Sequence, residues 1–255
     1  MTILCADDYG MTAGISEGIL SLCRQGRLNA VSVMTEAPLL PAYSAQLLAV
    51  PGKVQIGLHF NLTMPFDGSK AYGRNFLMLR PRLSAADRAD IAARLRSQMQ
   101  RFEMIFGRTP DFIDGHEHVH VMPSVRGIFL REITERYGHA KTKPWIRQVA
   151  NPILKTDTRF KAFVLNVLNI GFRAGCAARG FETNDNFRGV YSLTPGDHFK
   201  ELFTKWIGTA DDRTLVMFHP SAAVEPGDAI SQTRVAEYQV LSSSEPPVRA
   251  KKTAD

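Results

Sequence analysis

The sequence predicts a single-domain α/β protein, barrel-like and built on a parallel sheet. Three observations predict it. Short apolar runs rich in β-branched residues alternate with helix-length stretches, the pattern of βα units. Neither an internal repeat nor an interdomain linker interrupts them over 255 residues. Four of the runs also end in aspartate or histidine, and ligands gather at the carboxyl ends of parallel strands.

Taken in order, Thr2–Ala6 reads as the first strand. Thr12–Arg24 reads as a helix with Ile15, Ile19, Leu22 and Cys23 near one face and Gly26 as its stop. Ala30–Thr35 and Val54–Thr63 are the next strands. Ser84 and Asp87 form a capping box opening a long helix, whose inner stripe is Ile91, Leu95, Met99, Phe102 and Phe106 and whose end is Gly107. Phe112–Val121 is a strand, and Pro123–Tyr137 a helix with proline in its first turn. Residues 138–187 carry no clear period. Gly196–Ile207 reads as a helix, Thr214–His219 as a buried strand and Ser231–Ser242 as a final helix. The domain is expected over 1–245, with 246–255, rich in Pro and Lys, as a disordered tail.

Composition narrows the class. Apolar residues make up 44% and charged residues 22%, values of a globular chain rather than a disordered one. Cys5, Cys23 and Cys176 are an odd number without metal-type pairing, which argues against a disulfide framework. No apolar run reaches the ~20 residues of a membrane span, and no signal-peptide layout precedes the first strand. A cytoplasmic protein is expected. The formal charge is +6, and it is local. Between Arg131 and Gly180 stand Arg131, Arg136, Lys141, Lys143, Arg147, Lys155, Arg159, Lys161, Arg173 and Arg179 against Glu132, Glu135 and Asp157, leaving the rest of the chain at −1. A uniformly basic nucleic-acid binder is thereby excluded.

The four polar strand ends carry the chemistry. They are Ile3-Leu4-Cys5-Ala6-Asp7-Asp8, Ile56-Gly57-Leu58-His59, the run Phe112 to His120, and Leu215-Val216-Met217-Phe218-His219-Pro220. Isolated charges are too costly to bury, so their convergence implies pairing or a metal. Aspartate with histidine and no thiolate suits Zn²⁺, Mn²⁺, Fe²⁺ or Co²⁺, and Mg²⁺ less well. Adjacent Asp7 and Asp8 point to opposite sides of a regular strand, so one is expected to ligate and the other to serve a water as general base. Asp114, His116, His118 and His120 share one face if their segment stays extended. Neighbours there lie about 7 Å apart, so one or two imidazoles ligate and the others contact ligands or substrate. Asp114 is a partner for the free ring nitrogen of a ligating histidine. His139 and His198 fall outside the strand ends and read as solvated.

These stretches resemble the YdjC-like (ChbG/HpnK) family of carbohydrate deacetylases. The resemblance rests on Ala6-Asp7-Asp8-Tyr9-Gly10, Gly57-Leu58-His59-Phe60-Asn61-Leu62-Thr63, Asp114-Gly115-His116-Glu117-His118-Val119-His120 and Phe218-His219-Pro220-Ser221, and runs over about 1–242. Tyr9 stands where Phe is usual, and Ser221 where Gly is common. The resemblance implies a distorted (β/α) TIM-like barrel related to polysaccharide deacetylases. It implies a hydrolase removing acetyl from an N-acetylated sugar, an N-acetylglucosamine-containing oligosaccharide or glycolipid, with one divalent ion, Mg²⁺ or Zn²⁺. Asp8, His59 and His116 would be the metal ligands, Asp7 the base and His219 the acid, with Asp114, His118 and His120 orienting ligands or substrate.

Two other classes stand beside it: another metal-dependent hydrolase such as a phosphoesterase on a related barrel, and a non-catalytic sugar-binding relative. The basic segment is expected to bear on substrate presentation and not on the chemistry. Its blander reading is a barrel helix with a solvated rim. The sharper reading is a peripheral contact through Arg131–Gly180 at the inner membrane face. Homodimerisation is left open.

Overall fold

Apolar, β-branched segments form the strands because both faces of a parallel sheet are covered. In the computed structural model, which describes residues 1–80, 82–152, 156–194 and 198–243, these are β1 (Ile3–Tyr9), β2 (Ala30–Val33), β3 (Gln55–Phe60), β4 (Phe112–Gly115), β5 (Trp145–Ile146), β6 (Asn186–Arg188) and β7 (Thr214–Phe218). All pairings are parallel, in the order β5-β4-β3-β2-β1-β7-β6. The helices are α1 (Ala13–Arg24), α2 (Leu40–Leu48), α3 (Arg74–Leu79), α4 (Ala85–Phe106), α5 (Arg126–Tyr137), α6 (Arg159–Asn169), α7 (Phe172–Ala177), α8 (His198–Gly208) and α9 (Ser231–Ser243). The expected 246–255 tail lies outside the described residues.

The architecture is a distorted α/β barrel that a full complement of ladder bonds does not close. At the open side, Ile146 of β5 meets Thr183 through one isolated parallel bridge, its N–H donating to the Glu182 carbonyl at 2.8 Å. Beyond that point the Asn184 amide takes the place of a strand. Its Oδ1 accepts from Gln148 N–H at 2.8 Å, and its Nδ2 donates to the Gln148 carbonyl at 3.1 Å. Asn184 is 1% exposed, so removing the amide leaves buried backbone groups without partners. Asn184→Ala is therefore expected to cost about 1–3 kcal/mol in urea unfolding; a loss below about 0.5 kcal/mol would show that the clasp is incidental.

Local chemistry sets the helix ends. Thr12 Oγ1 accepts from Ile15 N–H at 3.2 Å to open α1. Ser84 Oγ accepts from Asp87 N–H at 3.0 Å and donates to its carboxylate at 2.7 Å to open α4, and Gly107, at φ 65°, closes it. The predicted inner stripe of α4 is buried throughout. Gly57 is required by a close approach: a Cβ there would lie 2.4 Å from the Phe112 ring, which stacks on Trp145.

Two expectations need correction. The strand expected over Phe112–Val121 ends at Gly115, and the chain turns into a 3₁₀ segment, His116–Val121, with Glu117 at φ 50° and His118 at φ 60°. The unparsed stretch before Phe187 holds β5, α6 and α7, and α2 and α3 were not foreseen. β5, α3 and α7 hold two to six residues, too few to fix a period, and α6 carries apolar residues on more than one side. No helix among the described residues is long and apolar enough to cross a membrane.

Candidate active site

β1 delivers two aspartates to the same place by breaking its own regularity. Its register with β2 shifts between Ala6 and Tyr9, and Asp8 adopts φ 70°. An aspartate tolerates the left-handed region better than most residues. The alternation that would point Asp7 and Asp8 to opposite faces is thereby relieved. Both line one cleft of about 610 Å³, together with His59, His116, His118 and His219.

Asp8 divides its two oxygens. Oδ2 accepts from the Arg234 guanidinium of α9 at 2.7 Å, while Oδ1 lies 3.0 Å from His116 Nδ1 and 3.3 Å from His59 Nε2. One carboxylate oxygen and two imidazole nitrogens thus converge, with ligand atoms within 4.8 Å of one another. The other nitrogen of His59, Nδ1, donates to Asp114 Oδ1 at 2.6 Å, and Ser32 Oγ donates to the same oxygen at 2.6 Å. That bond fixes the tautomer and turns Nε2 toward Asp8. Burial alone would lower the basicity of His59, but the Asp114 and Asp7 carboxylates push it up to about 10. In Asp8, Arg234 and His116 outweigh burial and hold the carboxyl well below its usual range.

Asp7 sits in a second, wholly buried network. Arg147, just after β5, grips it in a fork, Nη1 to Oδ2 at 2.6 Å and Nη2 to Oδ1 at 2.7 Å. The same Nη2 stands 2.6 Å from Asp114 Oδ2, an ion-pair contact outside hydrogen-bond alignment, and 3.0 Å from Cys5 Sγ. Burial would raise the Asp7 carboxyl, but Arg147, with His59 and His219, holds it well below the carboxylate range. Cys5, Asp7 and Asp114 also have ligand atoms near one another, yet a guanidinium occupies the space among them. Burial raises the Cys5 thiol, which stays neutral beside the arginine.

His219 ends β7. Burial pushes its imidazole down to about 4, and its Nδ1 is buried without a partner. Its backbone N–H donates to Glu237 Oε2, and Glu237 Oε1 accepts from Tyr191 Oη at 2.5 Å. Burial pushes Glu237 up to about 7.

The third histidine run does not share a face, because the turn after Gly115 sends each ring elsewhere. His116 goes to Asp8. His118 lines the cleft against the edge of Phe187 with a partnerless Nδ1, and burial lowers it well below the usual imidazole value. His120 does not reach the cleft. It is buried between Phe129 and Phe172, and its Nε2 donates to the Arg147 carbonyl at 2.8 Å. Its contact is with Arg147, the residue that grips Asp7.

An Asp-His-His set suits a divalent ion by its donor chemistry: three atoms converge on one side, and the remaining Asp8 and His59 atoms are held by other partners. A family model described as YdjC-like protein matches residues 1–249. The chain belongs to the YdjC-like family.

Among curated relatives, the chitooligosaccharide deacetylase of Citrobacter koseri is 30% identical over 143 residues, covering 53% of this chain and 56% of that protein. That of Escherichia fergusonii is 31% identical over 132 residues, covering 49% and 52%. The YdjC-like chain thus matches about half the length of these curated relatives. A solved structure from Enterococcus faecalis V583, whose name assigns it to cellobiose-phosphate cleavage, shares the fold with a TM-score of 0.67 and 15% identity, covering 95% of this chain and 90% of that one.

Arg147, Arg234, Ser32 and Glu237 of this YdjC-like site were missed in the sequence. Arg147 corrects the expectation that the basic segment stands apart from the chemistry: one of its ten cations is fully buried against Asp7 and Asp114. A usable signal existed in α9, where Ser231, Arg234, Glu237 and Leu241 recur at helical spacing and are all buried. A charged stripe on a buried face announces partners.

Proposed function

We propose that this protein is a divalent-metal-dependent hydrolase that removes the acetyl group from an N-acetylated sugar. The observation that carries the reading is the convergence of Asp8, His59 and His116 in a cleft that Asp7 and His219 also line. The substrate class takes its support from the relatives named chitooligosaccharide deacetylase. Two imidazoles with one carboxylate suit Zn²⁺ better than Mg²⁺.

An ion held by Asp8, His59 and His116 would polarise the acetyl carbonyl and make a water more acidic. Asp7 accepts a proton as the water attacks. Arg147 keeps Asp7 ionised and aimed; Oδ1 also accepts from the Cys5 thiol, so the lone pair for that task is on Oδ2. His219 gives a proton to the departing sugar amine. Because burial keeps it neutral at rest, it donates only after taking up a proton within the cleft. Glu237 and Tyr191 hold the backbone from which His219 projects.

Phosphoester chemistry is less well served. It usually recruits free arginines and often a second metal. Here Arg147 and Arg234 are both held by carboxylates, and Arg147 fills the space among Cys5, Asp7 and Asp114. The test is acetate release from diacetylchitobiose. Chelation is expected to lower the rate by ~10²-fold or more, with recovery on adding Zn²⁺. Acetate release untouched by chelator would overturn the metal, and phosphate release without acetate release would overturn the reaction.

A further inference from the structure

Helix α6 carries apolar side chains on two sides. Phe160, Val164, Leu165 and Leu168 line the cleft, Phe160 being 79% exposed. On the outer side Phe163 is 54% exposed, Val167 47% and, at the helix end, Ile170 69%. These three recur at i, i+4 and i+7, one stripe of the helix. Only Ala162 and Asn169 of α6 are buried. Across the same cleft, α3 supplies Met78 and Arg74 to the lining and ends at Leu79, 72% exposed.

Along the segment that carries this stripe the charges are of one sign. No aspartate or glutamate occurs between Thr158 and Gly180, whereas Arg159, Lys161, Arg173 and Arg179 do. Arg126 reaches the stripe's end, donating to the Ile170 carbonyl at 3.0 Å. Arg173 is paired with Asp185, and the neighbouring acid, Asp157, accepts from Ser192 N–H and lies 3.0 Å from His198 Nε2. A second copy of this face would bring the same cations against one another. An anionic surface would satisfy the cations and the apolar stripe together.

We propose that α6 docks this protein on an anionic phospholipid bilayer. Phe163, Val167 and Ile170 enter the interfacial layer, and Arg126, Arg159 and Arg179 meet the headgroups. Since the inner side of the same helix lines the cleft, docking holds the cleft against the membrane surface. The contact stands apart from the acetyl chemistry and is tested apart from it.

The experiment is co-sedimentation of the full chain with phosphatidylcholine vesicles, with and without phosphatidylglycerol. Binding is expected at low salt only when phosphatidylglycerol is present, and should weaken as salt rises. The triple variant Phe163→Ser, Val167→Ser, Ile170→Ser, whose positions do not line the cleft, should bind about tenfold or more weakly while keeping the wild-type melting curve and acetate release. Should that variant fail to fold, Arg159→Glu with Arg179→Glu tests the same surface through its charge and should lose binding to a similar degree. Absence of binding to the anionic vesicles overturns the proposal, as does equal binding by folded variants. A wild-type dimer that the triple variant splits, with no vesicle binding, assigns the stripe to a second copy instead.

Discussion

Asp7→Asn is expected to keep its metal and lose ~10²–10⁴ of its turnover, the usual weight of a general base. The substitution leaves Asp8, His59 and His116 in place and changes one group whose proposed task is to accept a proton. It also changes the partner of Arg147. An amide offers one acceptor where the carboxylate offered two, and turns an N–H₂ toward a guanidinium that only donates. A stability loss of about 1–3 kcal/mol is therefore expected alongside the rate loss, so turnover is to be read well below the variant's melting temperature. Metal content per chain decides the assignment. A variant purified without metal places Asp7 among the ligands, and a rate within about tenfold of wild type removes it from the chemistry.

Arg147→Met is expected to be the most destabilising single change at the site, at about 3–5 kcal/mol. It leaves Asp7 and Asp114, both buried, without the cation that lies between them. Against a typical stability of about 5–15 kcal/mol, the loss could by itself prevent folding. Arg147→Lys separates charge from geometry. A lysine keeps the positive charge but lacks the fork that grips both Asp7 oxygens while touching Asp114. A smaller loss in urea unfolding is expected, with turnover reduced because Asp7 is no longer aimed. If Arg147→Met costs less than about 1 kcal/mol, the two carboxylates are neutralised another way and the network has been misread.

Much of the frame was legible in the sequence, because it depends on local rules. Thr12, Ser84 and Gly107 end helices through bonds to residues a few places away, and the polar strand ends follow from how parallel sheets align. What could not be read depends on distant geometry. Arg147 looks like any member of a basic segment until β5 sets it beneath β1 and β4. The three histidines after Asp114 look equivalent until the chain turns at Glu117 and His118 and sends each ring to a different partner. Asp8 reaches the cleft beside Asp7 through a backbone irregularity that no side-chain pattern announces. Arg234 lies 226 positions from the carboxylate it holds, beyond the reach of any periodicity.

That last separation orders events in time. A ribosome releases Asp8, His59 and His116 well before Arg234, the residue that holds the second Asp8 oxygen. A growing chain would thus carry all three of those side chains before α9 exists to turn the carboxylate. The orientation of Asp8 within β1 is a late property of the molecule, completed only when α9 packs against it.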